Sequence, residues 1–166
     1  PEALGKALYS ALYACDEGVS RTHLIDRHQD GSLLMELFTR DGVGTLISAD
    51  DYEGIGEADI EDVGGILELL APLENEGVLV RRSRERLETE IERFTVMERD
   101  GMIVACAALY PYPADGMAEL ACLAVHADYQ GERRGDKLLE LLEEQARGDG
   151  LSSLFVLTTQ TAHWFL

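Results

Sequence analysis

Basic side chains are scarce in this 166-residue chain: 14 Lys and Arg stand against 32 Asp and Glu, for a formal net charge of −18. A surface that acidic repels phosphate backbones and anionic headgroups, which argues against nucleic-acid and membrane partners. Cysteine is also sparse. Cys15, Cys106 and Cys122 are odd in number and have no metal-ligand spacing. Cys106 and Cys122 fall inside apolar runs, where a free thiol behaves as a small hydrophobe. No apolar run approaches the length needed to cross a bilayer. Residues 1–15 lack the basic start and continuous apolar stretch of a signal peptide, so a reducing cytoplasm is the simplest setting. There is no internal repeat and no low-complexity segment. What remains is an ordinary apolar fraction of 46%, enough for a packed core.

The pattern divides the chain into two unequal α/β parts. In residues 1–17, Leu4, Leu8, Leu12 and Cys15 recur at helical spacing, and Gly18 is a stop. VSRTHLID then reads as a strand, SLLMELF as a short helix and VGTLI as a second strand, too few elements to close a core. Residues 48–57 are rich in Asp, Glu and Gly without apolar periodicity and read as a linker. From residue 58 a larger unit begins. Ile60, Val63, Ile66, Leu67, Leu70 and Leu73 form a helical stripe that Gly64 and Gly65 weaken. Ser83 is placed to cap a helix running through Leu87, Ile91 and Phe94. FTVMER and MIVACAALYP flank Asp100-Gly101, the dipeptide of a tight hairpin turn. AELACLAVH is apolar nearly throughout and reads as a central strand. Leu138, Leu139, Leu142 and Ala146 form a helix ending near residues 148–150, and SLFVLTT reads as another buried strand.

The segment AELACLAVHADYQGERRGDKLLELL is the most informative. A strand runs into a loop with two glycines, and the loop opens an amphipathic helix. Amides at a helix N-terminus, together with the helix dipole, attract a phosphate. Gly131 and Gly135 let the backbone come close to a ligand. Arg133 and Arg134 locally reverse the sign of a very acidic chain, which suggests an anionic ligand. A P-loop is excluded because Lys137 is not followed by Ser or Thr at the right distance, and no G-x-G-x-x-G of a dinucleotide fold is present. A plain strand–turn–helix with solvated charges remains open on spacing alone.

This segment resembles motif A of the GNAT acetyltransferases, Q/R-x-x-G-x-G/A. Gln130 and Gly135 match, and Arg133 stands at the middle glycine. The resemblance extends further. GVLVRRSRERLE, ERDGMIVACAALYP, AELACLAV and LFVLTTQTAHWF resemble the acetyltransferase domain of bacterial N-acetylglutamate synthases. RTHLIDRHQDGSLLMELFTRDGVGTLI resembles the end of the amino-acid kinase domain that precedes it there. The resemblance implies a GNAT-type mixed sheet flanked by helices over residues 58–166, a linker at 48–57, and a partial kinase-like segment at 1–47. It also implies an acetyltransferase unit cut short at its C-terminus, before a helix and closing strands that supply another substrate arginine.

It further implies acetyl transfer from acetyl-CoA, without a metal, to the α-amino group of L-glutamate, the first step of arginine biosynthesis. The amides of Gln130, Gly131, Glu132, Arg133, Arg134, Gly135 and Asp136 would hold the diphosphate, and Leu123, Ala124 and Val125 the pantetheine arm. Glu119 would be the general base, Thr158 a hydroxyl near the reacting centre, and a backbone N–H near Leu123 the oxyanion donor. Arg82, with the backbone of Val80 and Cys122, would bind the acceptor's carboxylates. Other readings stand beside these. Glu119 fits a solvent-facing strand residue, Thr158 a structural one, and Arg82 a surface salt bridge to Glu85 or Glu88. Cys122 lacks a neighbouring His or helix terminus to activate it, which favours direct transfer over an acetyl-cysteine. His126 and His163 fit structural roles and His28 an exposed loop. His23 and Glu36, with Gly42 and Gly44, match part of a feedback site for L-arginine in such kinase domains. Full-length relatives of this kind commonly form homo-oligomers. The alternatives are a non-catalytic remnant binding CoA or arginine, and a GNAT enzyme with another acceptor amine.

Overall fold

The computed structural model describes residues 2–39, 41–49 and 53–158. They fall into two compact units, Pro1–Tyr52 and Glu53–Leu166.

The first unit comprises α1 (Glu2–Asp16), β1 (Arg21–Leu24), α2 (Ser32–Phe38) and β2 (Thr45–Ser48). β1 and β2 pair antiparallel, with His23 opposite Leu46. Of the helical stripe on α1, Cys15 is buried, beside Ala11, whereas Leu4, Leu8 and Leu12 are exposed. The Cys15 thiol reaches the Ile47 carbonyl at 3.5 Å. Two short strands cover too little of α1 to bury its apolar face.

The second unit holds β3 (Gly54–Glu57), α3 (Val63–Asn75), α4 (Arg84–Glu90), β4 (Phe94–Arg99), β5 (Met102–Tyr112), β6 (Met117–Val125), α5 (Arg134–Gly148) and β7 (Ser153–Phe155). The sheet runs in the order β3-β4-β5-β6-β7. Successive pairs are antiparallel except β6–β7, which is parallel. This is the mixed sheet that the resemblance implied. Val63, Ile66 and Leu70 of α3 and Leu87 of α4 pack on one face against Phe94, Cys106 and Ala108. Leu142 and Ala146 of α5 pack on the other face against Leu109, Ala118 and Leu120.

Several expectations are corrected here. The stretch 48–57 is not all linker, because Gly54–Glu57 pairs with β4 as an edge strand. All of β3 is exposed, so it has main-chain pairing and no buried face to leave a pattern in the sequence. Ile60 lies outside α3 and is 57% exposed. Phe94 begins β4 rather than ending a helix, after a single 3₁₀ turn at Ile91–Arg93. β7 stops at Phe155, short of the predicted SLFVLTT; Thr159 and His163 lie outside the described residues. Other expectations hold. Ser83 caps α4, its Oγ accepting the Arg86 N–H at 3.3 Å. Asp100 and Gly101 have φ of 48° and 74°, the left-handed pair that a tight hairpin turn needs.

Candidate active site

β6 and β7 share only three register positions, from Met117 opposite Ser153 to Glu119 opposite Phe155. Beyond them the chains diverge. The gap is a cleft of about 540 Å³, bounded by Leu120–Val125 of β6, by Val156, Leu157 and Thr158, by Leu73, Val78 and Leu79 after α3, and by the loop before α5. Among the described residues, one edge of β6 therefore faces a space rather than a neighbouring strand.

β6 is also kinked at this place. Cys106 pairs with Ala124 and Ala108 with Ala121, so Cys122 and Leu123 together oppose Ala107. Cys122 takes a φ of 54°, which a β-bulge tolerates and an ordinary strand does not. The bulge exchanges the faces of the strand. Ala118 and Leu120 pack toward α5, whereas Cys122 and Ala124 pack toward α3 and α4. A one-residue slip has this effect because side chains alternate with period two. It turns the backbone at Cys122–Leu123 relative to the rest of the edge.

The loop from 130 to 135 closes one end of the cleft. The Gln130 side chain donates to the Val125 carbonyl at 3.3 Å, tying the loop to the end of β6. Gly131 and Arg133 both have positive φ, 86° and 59°. The Arg133 carbonyl accepts the Lys137 N–H at 3.0 Å, the first turn of α5. The amides of Arg134, Gly135 and Asp136 precede that turn, and these residues line the cleft. The two arginine side chains are not free charges. Arg133 is bound to Asp136 at 2.9 Å and approaches Glu140 at 3.6 Å. The Arg134 side chain is 3% exposed and engaged by Glu53 and Glu132. The sign reversal read from the sequence is thus largely cancelled by neighbouring carboxylates, and the anion-binding capacity of the loop is that of its backbone.

A second cluster lies on the α3/α4 face. Glu119 is directly across from Tyr110 of β5, and Tyr110 and Ala121 pack against that core. Glu119 therefore shares its face with Cys122 and Tyr110. The Tyr110 hydroxyl donates to Glu90 Oε2 at 2.6 Å, and Arg86 Nε donates to Glu90 Oε1 at 3.1 Å. Burial alone would raise the Glu90 carboxyl, but these two donors outweigh it and hold it below the usual carboxylate value. Burial, reinforced by Glu90, pushes the Tyr110 phenol up to about 12. Burial pushes the Cys122 thiol up to about 11; Arg82 opposes the rise and Glu119 adds to it. Arg82 is half-buried, and its Nη1 donates to the Val80 carbonyl at 3.3 Å. Its Nε is buried without a hydrogen-bond partner among the described residues. The surface bridge is not made to Glu88, which pairs with Arg84 at 2.9 Å. A buried guanidinium N–H without an acceptor is costly unless something else supplies one.

Residues 64–163 match the model of the Acetyltransferase (GNAT) family. The chain belongs to that family. An amino-acid acetyltransferase from Pseudomonas putida is 60% identical over 161 residues, 97% of this chain and 37% of the relative. The chain thus spans little more than a third of the curated relatives it matches. Among solved structures, N-acetylglutamate synthase from Neisseria gonorrhoeae complexed with coenzyme A and L-arginine superimposes with a TM-score of 0.85. Identity there is 39%, covering 99% of this chain and 38% of that one. The same enzyme complexed with coenzyme A and N-acetyl-glutamate gives 0.67, at 43% identity over 95% of this chain and 37% of that one.

Of the residues singled out in the sequence, the GNAT cleft gathers Cys122, Leu123, Ala124, Val125, Gln130, Gly131, Arg133, Arg134, Gly135, Asp136 and Thr158 in its walls. Glu119 and Arg82 are not in those walls, though the charges of both bear on the Cys122 thiol. Glu132 points to Arg134, and the Val80 side chain is 76% exposed. In the first unit, His23, Glu36, Gly42 and Gly44 do come together. Glu36 accepts from His23 Nδ1 at 2.5 Å and from the N–H groups of Val43 and Gly44 at 2.7 Å each. His23 first, then these amides, lower the Glu36 carboxyl. A side chain at Gly44 would fall 2.6 Å from the Leu24 carbonyl oxygen, so the turn requires glycine. Tyr110, Glu90 and Glu53 were not marked by any sequence pattern. Their roles depend on strand register and on pairing across the sheet, which one-dimensional spacing does not encode.

Proposed function

We propose that the second unit is the acetyltransferase part of an amino-acid N-acetyltransferase. It would move the acetyl group of acetyl-CoA to the α-amino group of L-glutamate, giving N-acetyl-L-glutamate and CoA. The observation that carries this reading is the cleft in which a splayed strand edge meets the head of α5. Such an edge suits an extended, amide-bearing arm, and such a helix terminus suits a diphosphate. The relatives complexed with coenzyme A support the same donor.

In this reading the acceptor's carboxylates meet Arg82, whose buried Nε has no acceptor among the described residues. Guanidinium suits carboxylate because its planar fork matches the two oxygens. Glu119 takes a proton from the acceptor ammonium, through a water, so that a neutral nitrogen can attack. The neutral nitrogen adds to the thioester carbonyl carbon to give a tetrahedral intermediate. Its collapse breaks the carbon–sulfur bond, the surplus proton on nitrogen passes to the departing sulfur, and CoA leaves as the thiol, with the Thr158 hydroxyl as a neighbour. The backbone re-aimed by the bulge at Cys122–Leu123 offers an N–H to the intermediate's oxyanion. A thiol with a pKa of about 11 is a poor nucleophile near neutrality, which supports direct transfer without an acetyl-cysteine.

The first unit is read as the closing segment of an amino-acid kinase-like domain, with His23, Glu36, Gly42 and Gly44 as part of an L-arginine site. Apolar side chains left exposed on α1 and α2, such as Leu4, Leu37 and Phe38, support its being a part of a larger domain.

The test is CoA release from acetyl-CoA with glutamate, aspartate, lysine or no acceptor. Release with glutamate alone supports the reading, and Glu119→Gln should then lower the rate by about 10²–10⁴-fold. Release with lysine or aspartate instead points to another acceptor amine. Coenzyme A binding without release in any mixture would make this a binding module.

A further inference from the structure

We propose that Glu53 is a positioning residue that clamps the loop at the head of α5 through Arg134. The inference rests on the reading of that loop as the site for the diphosphate of coenzyme A.

Arg134 is unusual for an arginine beside an anion-binding loop, because it is 4% exposed and faces away from solvent. Its Nε lies 3.1 Å from both oxygens of Glu53, and its Nη2 also donates to Glu53. The remaining donors reach the loop on both sides. Nη1 donates to the Tyr129 carbonyl at 2.6 Å, just before the loop, and Nη2 to Glu132 Oε2 at 2.9 Å, within it. One guanidinium thus joins the residue that leads into edge strand β3 to a loop 81 positions later. Tyr129 completes the assembly. The guanidinium carbons of Arg134 and Arg99 lie 5.4 and 5.1 Å from its ring centroid. Arg99 in turn lies 3.7 Å from Glu53.

The charges explain the arrangement. Among the described residues, two arginines face two carboxylates, so the cluster adds little net attraction for a phosphate. Its effect is on position. The loop contains two residues in left-handed conformation, Gly131 and Arg133, and carries few apolar anchors of its own. The side chain of Arg134 is buried against Glu53, while Arg134, Gly135 and Asp136 are among the residues that line the cleft. Removing the Glu53 carboxylate leaves a buried guanidinium short of its main acceptor. The chain would move to hydrate it, and the amides of residues 134–136 would leave their common aim. Sequence reading assigned Arg134 to the ligand; the geometry assigns its side chain to the support of the ligand's seat.

The test compares the wild-type chain with Glu53→Gln and Arg134→Lys by calorimetric titration, using coenzyme A and, separately, pantetheine, which lacks the diphosphate. Both variants should bind coenzyme A about tenfold more weakly, the scale of one lost hydrogen bond to a charged group. Their affinity for pantetheine should be unchanged. The double variant should bind coenzyme A no more weakly than either single one, since both remove one clamp. Glu53→Asp keeps the charge and shortens the reach, and it serves if Glu53→Gln does not fold. Unchanged coenzyme A affinity in the Glu53 variants would overturn the clamp. Equal losses for coenzyme A and pantetheine would also overturn it, by showing general loosening. Weaker binding in Arg134→Lys with tighter binding in Glu53→Gln would overturn it in favour of direct phosphate contact. Wild-type chain that binds no coenzyme A would overturn the reading of the loop itself, and the clamp with it.

Discussion

The hydroxyl of Tyr110 donates a 2.6 Å hydrogen bond to Glu90, and it does so from the strand position directly across from Glu119. The bond commits the phenol as a donor and holds the carboxylate ionised. Tyr110→Phe should therefore cost about 1 kcal/mol in denaturant unfolding, the usual worth of such a bond. The pH dependence has a definite sign. The folded-state Glu90 carboxyl lies below its unfolded value, so its stabilisation is present above the unfolded value and is lost as pH falls through the folded one. The acid limb of the wild-type stability curve should be steeper than that of Tyr110→Phe, measured by thermal melts from pH 3 to 7.

Cys122 combines burial, a raised thiol and a left-handed backbone. With the thiol near 11, alkylation by iodoacetamide should be slow at pH 7.5 and rise about tenfold per pH unit up to that value. The backbone makes a separate demand, because at a φ of 54° a β-branched side chain is strained. Cys122→Gly should keep the fold, whereas Cys122→Val should lower the melting temperature by several degrees. An acetylated Cys122 found by mass spectrometry after turnover would contradict direct transfer.

Gly64 and Gly65 look alike in the sequence and should respond oppositely to alanine. A side chain added at Gly64 meets open space, so Gly64→Ala should stabilise α3 by about 0.5–1 kcal/mol. One added at Gly65 would lie 2.7 Å from Ile103 Cγ1 on β5. Helix and sheet would have to separate, and Gly65→Ala should destabilise by about 1–3 kcal/mol. Paired urea titrations decide both signs.

Arg133 occupies a left-handed position that glycine takes without strain. Its ion pairs are with exposed neighbours and contribute little. Arg133→Gly should raise the melting temperature by a few degrees, and coenzyme A affinity should not fall, because the amides of residues 134–136 keep their place.

Local pattern and long-range pairing divide the account of this protein between them. The sequence by itself determined the helices, the hairpin at Asp100-Gly101, the glycine loop before α5 and its kinship with the GNAT family. All of these are written in neighbouring residues, through apolar periodicity, turn chemistry and motif spacing. It placed Arg133 at a glycine position, and the positive φ there explains why that position favours glycine. Three matters were left to the tertiary structure. Strand β3 is wholly exposed, and a strand paired by its backbone alone leaves no apolar signature. The bulge at Cys122 exchanges the faces of β6, which an unbroken AELACLAV does not announce. The third concerns the loop's arginines. Their adjacency suggested free charge for a ligand, but Glu53, 81 positions away, takes up Arg134. Only folding brings that carboxylate to the guanidinium, and burial then turns an apparent binding charge into a brace.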